Sequence, residues 1–269
     1  MNKQVCNAID RKFRELRQNG DKALIAYIAA GDPDLATTEQ LILEMEKAGA
    51  DLIEIGIPFS DPVAEGPIIA AASERALKNG DVCLKNVFAM VKRLRDKCRI
   101  PLLLMLYANS VFAHGIDRFF ADCADSGISG AIVPDVPFEE RMELQPIAHA
   151  HNVHLINLVA PTSGERIDTI AADSQGFLYC VSSTGVTGVR SEFSTDFDSL
   201  FRRIRAASDV PAALGFGIST PEQIRQLAPY CDGLIVGSAI VRIIGRHGRD
   251  CLQPVSEFVT ALKNACLSL

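Results

Sequence analysis

Asp51-Leu-Ile-Glu-Ile-Gly-Ile-Pro-Phe-Ser-Asp-Pro-Val-Ala-Glu-Gly-Pro67 reads as a strand buried on both faces that runs into two Pro-bearing turns. Glu54 interrupts the apolar run. Burying an unpaired carboxylate is costly, and the usual escape is a raised pKa. Two readings of Glu54 stand side by side: an acid paired with a neighbouring Lys or Arg, or a proton donor or base tuned by its apolar lining. Glu65 follows eleven residues later in the loop. Alone it reads as a solvated loop acid; beside Glu54 it completes a pair of carboxyls suited to acid–base chemistry. Asp61, between Ser60 and Pro62, reads as a turn or N-cap residue that stabilises the loop.

The same rhythm extends outward from this stretch. Apolar runs occur at Leu24–Ala29, Leu52–Ile57, Leu102–Tyr107, Gly130–Val133, Leu155–Val159, Phe177–Val181, Ala212–Gly215 and Leu234–Val236, eight in all. Each is too short for a helix. Helical patterns lie between them, as in Ile116, Phe119, Phe120, Cys123 and Ala124, or Leu252, Val255, Phe258, Val259 and Leu262. Asp32-Pro33 and the Ser219/Glu222 pair read as helix starts. Before the first run, Val5, Ile9, Phe13 and Leu16 form the stripe of an extra N-terminal helix. Strict alternation implies a parallel sheet, and eight strands are the number that closes a barrel. The expected fold is α/β, a (β/α)8 TIM barrel forming one domain over residues 1–269; an open doubly wound sheet is the alternative.

The 269 residues are 48% hydrophobic and 22% charged, enough for a large core. A net charge of −6 argues against general binding to nucleic acid or anionic membrane. The eight cysteines include no C-x-x-C pair and read as reduced thiols of a cytoplasmic protein. The N-terminus lacks the apolar core of a signal peptide, and no run is long enough to span a membrane.

In a barrel, chemistry sits at strand C-termini and βα loops. Gly215-Phe-Gly217 follows the seventh run, and Gly237-Ser238 follows the eighth and opens a helical pattern. This is where barrels often take a phosphate, although ordinary turns have the same composition. Ser182–Phe193 is long for a βα connection and reads as a lid or an idle loop, with Gly185 and Gly188 as hinges, Thr187 facing ligand or acid, and Arg190 near a phosphate. No lysine falls at a strand end, which removes Schiff-base chemistry. His149, His151 and His154 are expected at a solvated helix end on the opposite face. Cys180 has no evident activating histidine.

Leu52–Pro62, Tyr27–Pro33, Tyr179 with Thr184–Gly188, Gly215–Ser219 and Val236–Ile240, in this order, resemble the tryptophan synthase α-subunit family. The resemblance runs from about residue 5 to the C-terminus. It implies retro-aldol cleavage of indole-3-glycerol phosphate to indole and glyceraldehyde-3-phosphate, with no metal or organic cofactor. By resemblance Glu54 is the catalytic Glu, Tyr179 the tyrosine close to it, and Glu65 stands where the family has a second catalytic Asp. Gly188, Gly217, Gly237 and Ser238 fall on the phosphate site, Thr187 on the lid threonine, and Tyr27 on an indole-contacting aromatic that is usually Phe. Ser183 stands where Arg is expected. The implied partner is a pyridoxal-phosphate-bearing β subunit in an α2β2 heterotetramer, met through the loop around Asp61. A stand-alone lyase, or a weakened barrel that mainly activates its partner, are the alternatives.

Overall fold

A computed structural model of the chain describes residues 6–181, 196–215 and 217–267. Among these, nine parallel strands form one sheet: β1 (Ala23–Ala29), β2 (Leu52–Gly56), β3 (Leu102–Met105), β4 (Gly130–Ile132), β5 (His154–Leu155), β6 (Leu158–Val159), β7 (Leu178–Val181), β8 (Ala212–Gly215) and β9 (Gly233–Val236). Their order is β5-β4-β3-β2-β1-β9-β8-β7-β6. The count exceeds the eight expected because the fifth run is interrupted at Ile156-Asn157. Its first half pairs with β4 and its second with β7. Ile156 N–H donates to Ala131 O, and Tyr179 N–H donates to Asn157 O, so both ladders continue across the break. The sheet closes on itself there, which gives the expected barrel rather than an open sheet.

Helices α1 (Ala8–Asn19), α2 (Leu35–Lys47), α3 (Pro67–Lys78), α4 (Leu84–Leu94), α5 (Ala108–His114), α6 (Ile116–Ser126), α7 (Gln145–Ala150), α8 (Arg166–Ala172), α9 (Phe197–Ala207), α10 (Pro221–Leu227), α11 (Ser238–His247) and α12 (Leu252–Leu267) surround the strands. Two expected helix starts are displaced. Asp34, not Asp32, caps α2 by accepting from Thr37 N–H at 2.7 Å; Asp32 instead pairs with Arg75. Thr220, not Ser219, caps α10, and the Gln223 side chain reaches back to Ser219 N–H at 2.8 Å.

Strand side chains alternate between two apolar layers, as period-two geometry requires. Leu24, Ala26, Ile28, Ile53 and Ile55 face the helices; Ala23, Ile25, Tyr27, Leu52, Leu103, Ile132, Tyr179 and Ile235 face the barrel axis. The N-terminal end of the barrel is stoppered by α1. Its Ile9, Phe13 and Leu16 join the axial layer, and the Phe13 and Phe177 rings lie 5.6 Å apart. Asn7 caps α1 and donates to Ser129 O at 2.8 Å, while His154 Nε2 meets Asp10 Oδ2 at 2.7 Å.

His154 thus corrects one expectation. It is buried on β5 and holds the stopper in place, rather than lying at a solvated helix end; His151 separately pairs with Asp117. All eight cysteines are free, six of them buried. Among the described residues no helix is long and apolar enough to cross a membrane.

Candidate active site

Glu54 occupies the middle of β2, in register with Tyr27 on β1 and Leu103 on β3. Register neighbours in a parallel sheet share a face, and both partners belong to the axial layer, so Glu54 points into the barrel. It is fully buried, and among the described residues neither carboxyl oxygen has a hydrogen-bond partner. Burial alone pushes its pKa from 4.5 to about 8. Among the described residues no Lys or Arg pairs with Glu54, and its apolar lining raises its pKa.

Two tyrosines flank this acid. The Glu54 charge bears on both phenols, Tyr27 and Tyr179, and helps to raise their pKa values beyond the effect of burial. Room for the rings comes from glycines at the next inward positions. A Cβ at Gly56 would lie 2.1 Å from the Tyr27 hydroxyl, and one at Gly215 would lie 2.7 Å from the Tyr179 ring.

Above lies a cleft lined by Tyr27, Glu65, Ile69, Met105, Tyr179, Gly217, Ile218, Ile235, Gly237 and Ser238. Of the residues that the sequence singles out, Glu65, Tyr27, Tyr179, Gly217, Gly237 and Ser238 converge on one cavity, and Glu54 lies beneath it. The side chains that sequence reasoning passed over are the apolar walls Ile69, Met105, Ile218 and Ile235. Met105 and Ile235 stand at inward positions near the C-terminal ends of their strands, so period-two alternation alone marks them.

Glu65 reaches the cleft from the β2–α3 loop. It is half-buried; desolvation raises its pKa to about 7, opposed by a bond from the Ser73 hydroxyl at 3.5 Å. The loop itself is tied down where Ala64 N–H donates to the Tyr107 hydroxyl at 3.1 Å, and the Tyr107 ring packs on Phe59. Asp61 stays exposed and accepts from Ser60 Oγ at 2.5 Å; it does not cap α3, whose N-cap is Gly66.

The opposite wall suits an anion. Gly237 precedes α11, and no side chain caps that helix. Its first N–H groups and the buried Ser238 hydroxyl face the cleft end of the helix dipole. Gly217, at φ +87°, turns the chain after β8 onto the same cavity. Thr187 and Gly188, with Ser183, Gly185 and Arg190, lie outside the described residues. Cys180 is excluded as a nucleophile, because complete burial pushes its thiol pKa well above the ordinary value.

Fold and site together define a class: a (β/α)8 barrel with a largely apolar cleft, two carboxyl groups of raised pKa and an open helix N-terminus at the C-terminal ends of its strands. Comparison with known proteins narrows that class. The sequence profile of the family described as tryptophan synthase alpha chain matches residues 13–266. The tryptophan synthase alpha chain of Caldanaerobacter subterraneus subsp. tengcongensis is 48% identical over 259 residues, covering 96% of this chain and 98% of the relative. That of Clostridium kluyveri is 48% identical over 261 residues, covering 96% and 99%. Among solved structures, tryptophan synthase subunit alpha from Legionella pneumophila superposes with a TM-score of 0.88 at 33% identity, covering 98% of this chain and 100% of that one. A chain of Mycobacterium tuberculosis tryptophan synthase superposes at 0.89 and 34% identity, with 97% and 98% coverage. The chain belongs to the tryptophan synthase alpha chain family, lyases that cleave indole-3-glycerol phosphate in tryptophan biosynthesis.

Proposed function

We propose that this chain carries out the family's cleavage with Glu54 as proton shuttle and Glu65 as its partner at the ring nitrogen. The supporting observation is a fully buried carboxyl, without a hydrogen-bond partner among the described residues, on the axis beneath an apolar cleft. With a pKa of about 8, Glu54 holds its proton at neutral pH. Breaking the bond between indole C3 and the side chain needs a proton delivered to C3 and one taken from the glycerol 3′-hydroxyl. Glu54 gives the first and accepts the second, so it ends the cycle as it began. To do so its side chain swings up between Tyr27 and Tyr179 when the indole enters.

Protonation at C3 leaves positive charge on the ring, and an ionised Glu65 beside N1–H stabilises it. Tyr27, Tyr179, Met105 and Ile235 enclose the ring. Gly217, Gly237, Ser238 and the α11 N-terminus hold the phosphate, whose remote binding energy orients the reacting end. Thr187 and Gly188 keep the lid and phosphate roles that the family resemblance gives them. No metal or organic cofactor enters these steps.

The partner in this reading is a tryptophan synthase β subunit, carrying the pyridoxal phosphate, in an α2β2 assembly. Three large apolar side chains stand exposed on the loops and short helices after β2, β3 and β4: Val63, Phe112 and Met142. All three follow consecutive strands at the catalytic end of the barrel, and Val63 is two residues from Asp61. An exposed apolar rim of this kind suits a protein interface. Residues 1–269 act as one domain, and the free thiols suit a cytoplasmic setting. The test is indole release by the full chain with and without a β subunit. Turnover that rises on adding the partner supports the subunit reading; high turnover alone, unchanged by partner, would make it a stand-alone lyase.

A further inference from the structure

The Glu65 carboxyl is carried on a side chain with one more rotatable bond than aspartate, in a loop. Unless something tethers it, that freedom spreads the charge over several rotamers. Ser73 lies eight residues on, on the face of α3 turned toward the cleft, and is 3% exposed. Its hydroxyl donates to Glu65 Oε2 at 3.5 Å, the one bond found for that hydroxyl among the described residues. The helix bearing it is fixed in turn. Two residues further on, Arg75 grips the buried Asp32 at the end of β1 through Nε at 2.8 Å and Nη2 at 2.7 Å. Asp32, Arg75 and Ser73 therefore reference the Glu65 carboxyl to the barrel rather than to its own loop.

We propose that Ser73 is a positioning residue for Glu65, holding the carboxylate at the cleft edge and favouring its ionised form. The proposal rests on the reading of Glu65 as the acid beside the ring nitrogen. Hydrogen bonding to the charged form lowers a carboxyl pKa, and burial opposes it. At Glu65 burial is the larger effect, and among the described residues Ser73 is the one donor that counteracts it. The other titratable groups that bear on Glu65 are the phenols of Tyr27 on β1 and Tyr107 after β3, both with raised pKa. Both stay neutral where Glu65 titrates. Beneath them Glu54 titrates near 8, on the other limb of the profile.

The test is a pH series of indole-forming kcat/KM for the full-length chain with Ser73→Ala, in the wild-type and Glu65→Asp backgrounds. Ser73→Cys, matched in volume but a weak donor, replaces Ser73→Ala if the latter lowers the folded yield. The expected result is an acid limb moved up by about half a pH unit, roughly a threefold loss below the limb. In the Glu65→Asp background, whose shorter side chain falls short of Ser73, the same substitution should leave the limb in place. Superimposable profiles, or an equal shift in both backgrounds, would overturn the proposal. Glu65→Gln separates the two layers of the argument. If it keeps wild-type turnover, the catalytic reading of Glu65 falls and this proposal with it. If it is inactive while Ser73→Ala behaves as wild type, the assignment of Ser73 alone falls.

Discussion

The stoppered end of the barrel and the middle of β2 treat acidic side chains in opposite ways. At the N-terminal end the half-buried Asp10 and the buried Asp51 both have partners. Asp10 takes His154 Nε2 and Asn7 N–H, both at 2.7 Å, and Asp51 takes Lys263 Nζ at 2.7 Å and Leu24 N–H at 2.8 Å. Although burial pushes Asp10 upward, its histidine and backbone partners hold it below the usual carboxylate range. Midway up β2, Glu54 is more deeply buried than Asp10 and has no hydrogen-bond partner among the described residues; it is pushed to about 8. Paired acids at the stoppered end stabilise the fold, whereas the unpaired one costs stability and gains a proton to transfer.

Removing the unpaired acid breaks the contrast most sharply. Glu54→Gln should cut indole-forming kcat by about 10²–10⁴-fold, with substrate KM little changed, as read by steady-state assay. The same change should raise stability in urea unfolding. In the folded chain Glu54 keeps its proton to about 8, whereas in the unfolded chain it releases it near 4.5. The wild type therefore loses stability as pH rises from about 4.5 to 8, and the variant does not. The gain should be on the order of 3 kcal/mol at pH 7 and vanish near pH 4.

Two acids at about 7 and about 8 also fix the shape of the pH profile. Cleavage needs Glu65 ionised and Glu54 protonated. kcat/KM should peak between these values and fall about tenfold per unit on either side. At the stoppered end, His154→Ala takes the histidine from Asp10 and leaves it the Asn7 N–H; this should cost about 1–3 kcal/mol of unfolding free energy, while kcat of the folded fraction stays within about twofold. An equal fall in kcat would mean that the two ends are not separable. The smallest effect belongs to the anion seat. Ser238→Ala removes one hydroxyl but leaves the α11 N–H groups, so KM should rise only about 3–10-fold with kcat retained.

Much of this was legible in the chain. Seven of the eight apolar runs became single strands, and Glu54 was visible as an acid in the wrong surroundings. The break at Ile156-Asn157 was not, because Leu155–Val159 keeps an unbroken strand composition while its halves bond to different neighbours. His154 was misplaced for a related reason: the Asp10 that buries it is 144 residues away, and local pattern carries no trace of that pairing. The cleft's glycines and tyrosines could be marked, but their fit could not. That Gly56 makes room for Tyr27 depends on two strands coming into register. Ser73 looked like any helical serine until α3 was placed against the loop that precedes it.

The central claim is that Glu54, buried with no hydrogen-bond partner among the described residues, carries its proton through neutral pH. Carboxyl resonances of the ligand-free chain labelled with 13C at the glutamate side chains, followed from pH 4 to 9 beside Glu54→Gln, test this directly. One resonance absent from the variant should titrate with a midpoint near 8. A Glu54 resonance that titrates in the ordinary range near 4–5 would contradict the account.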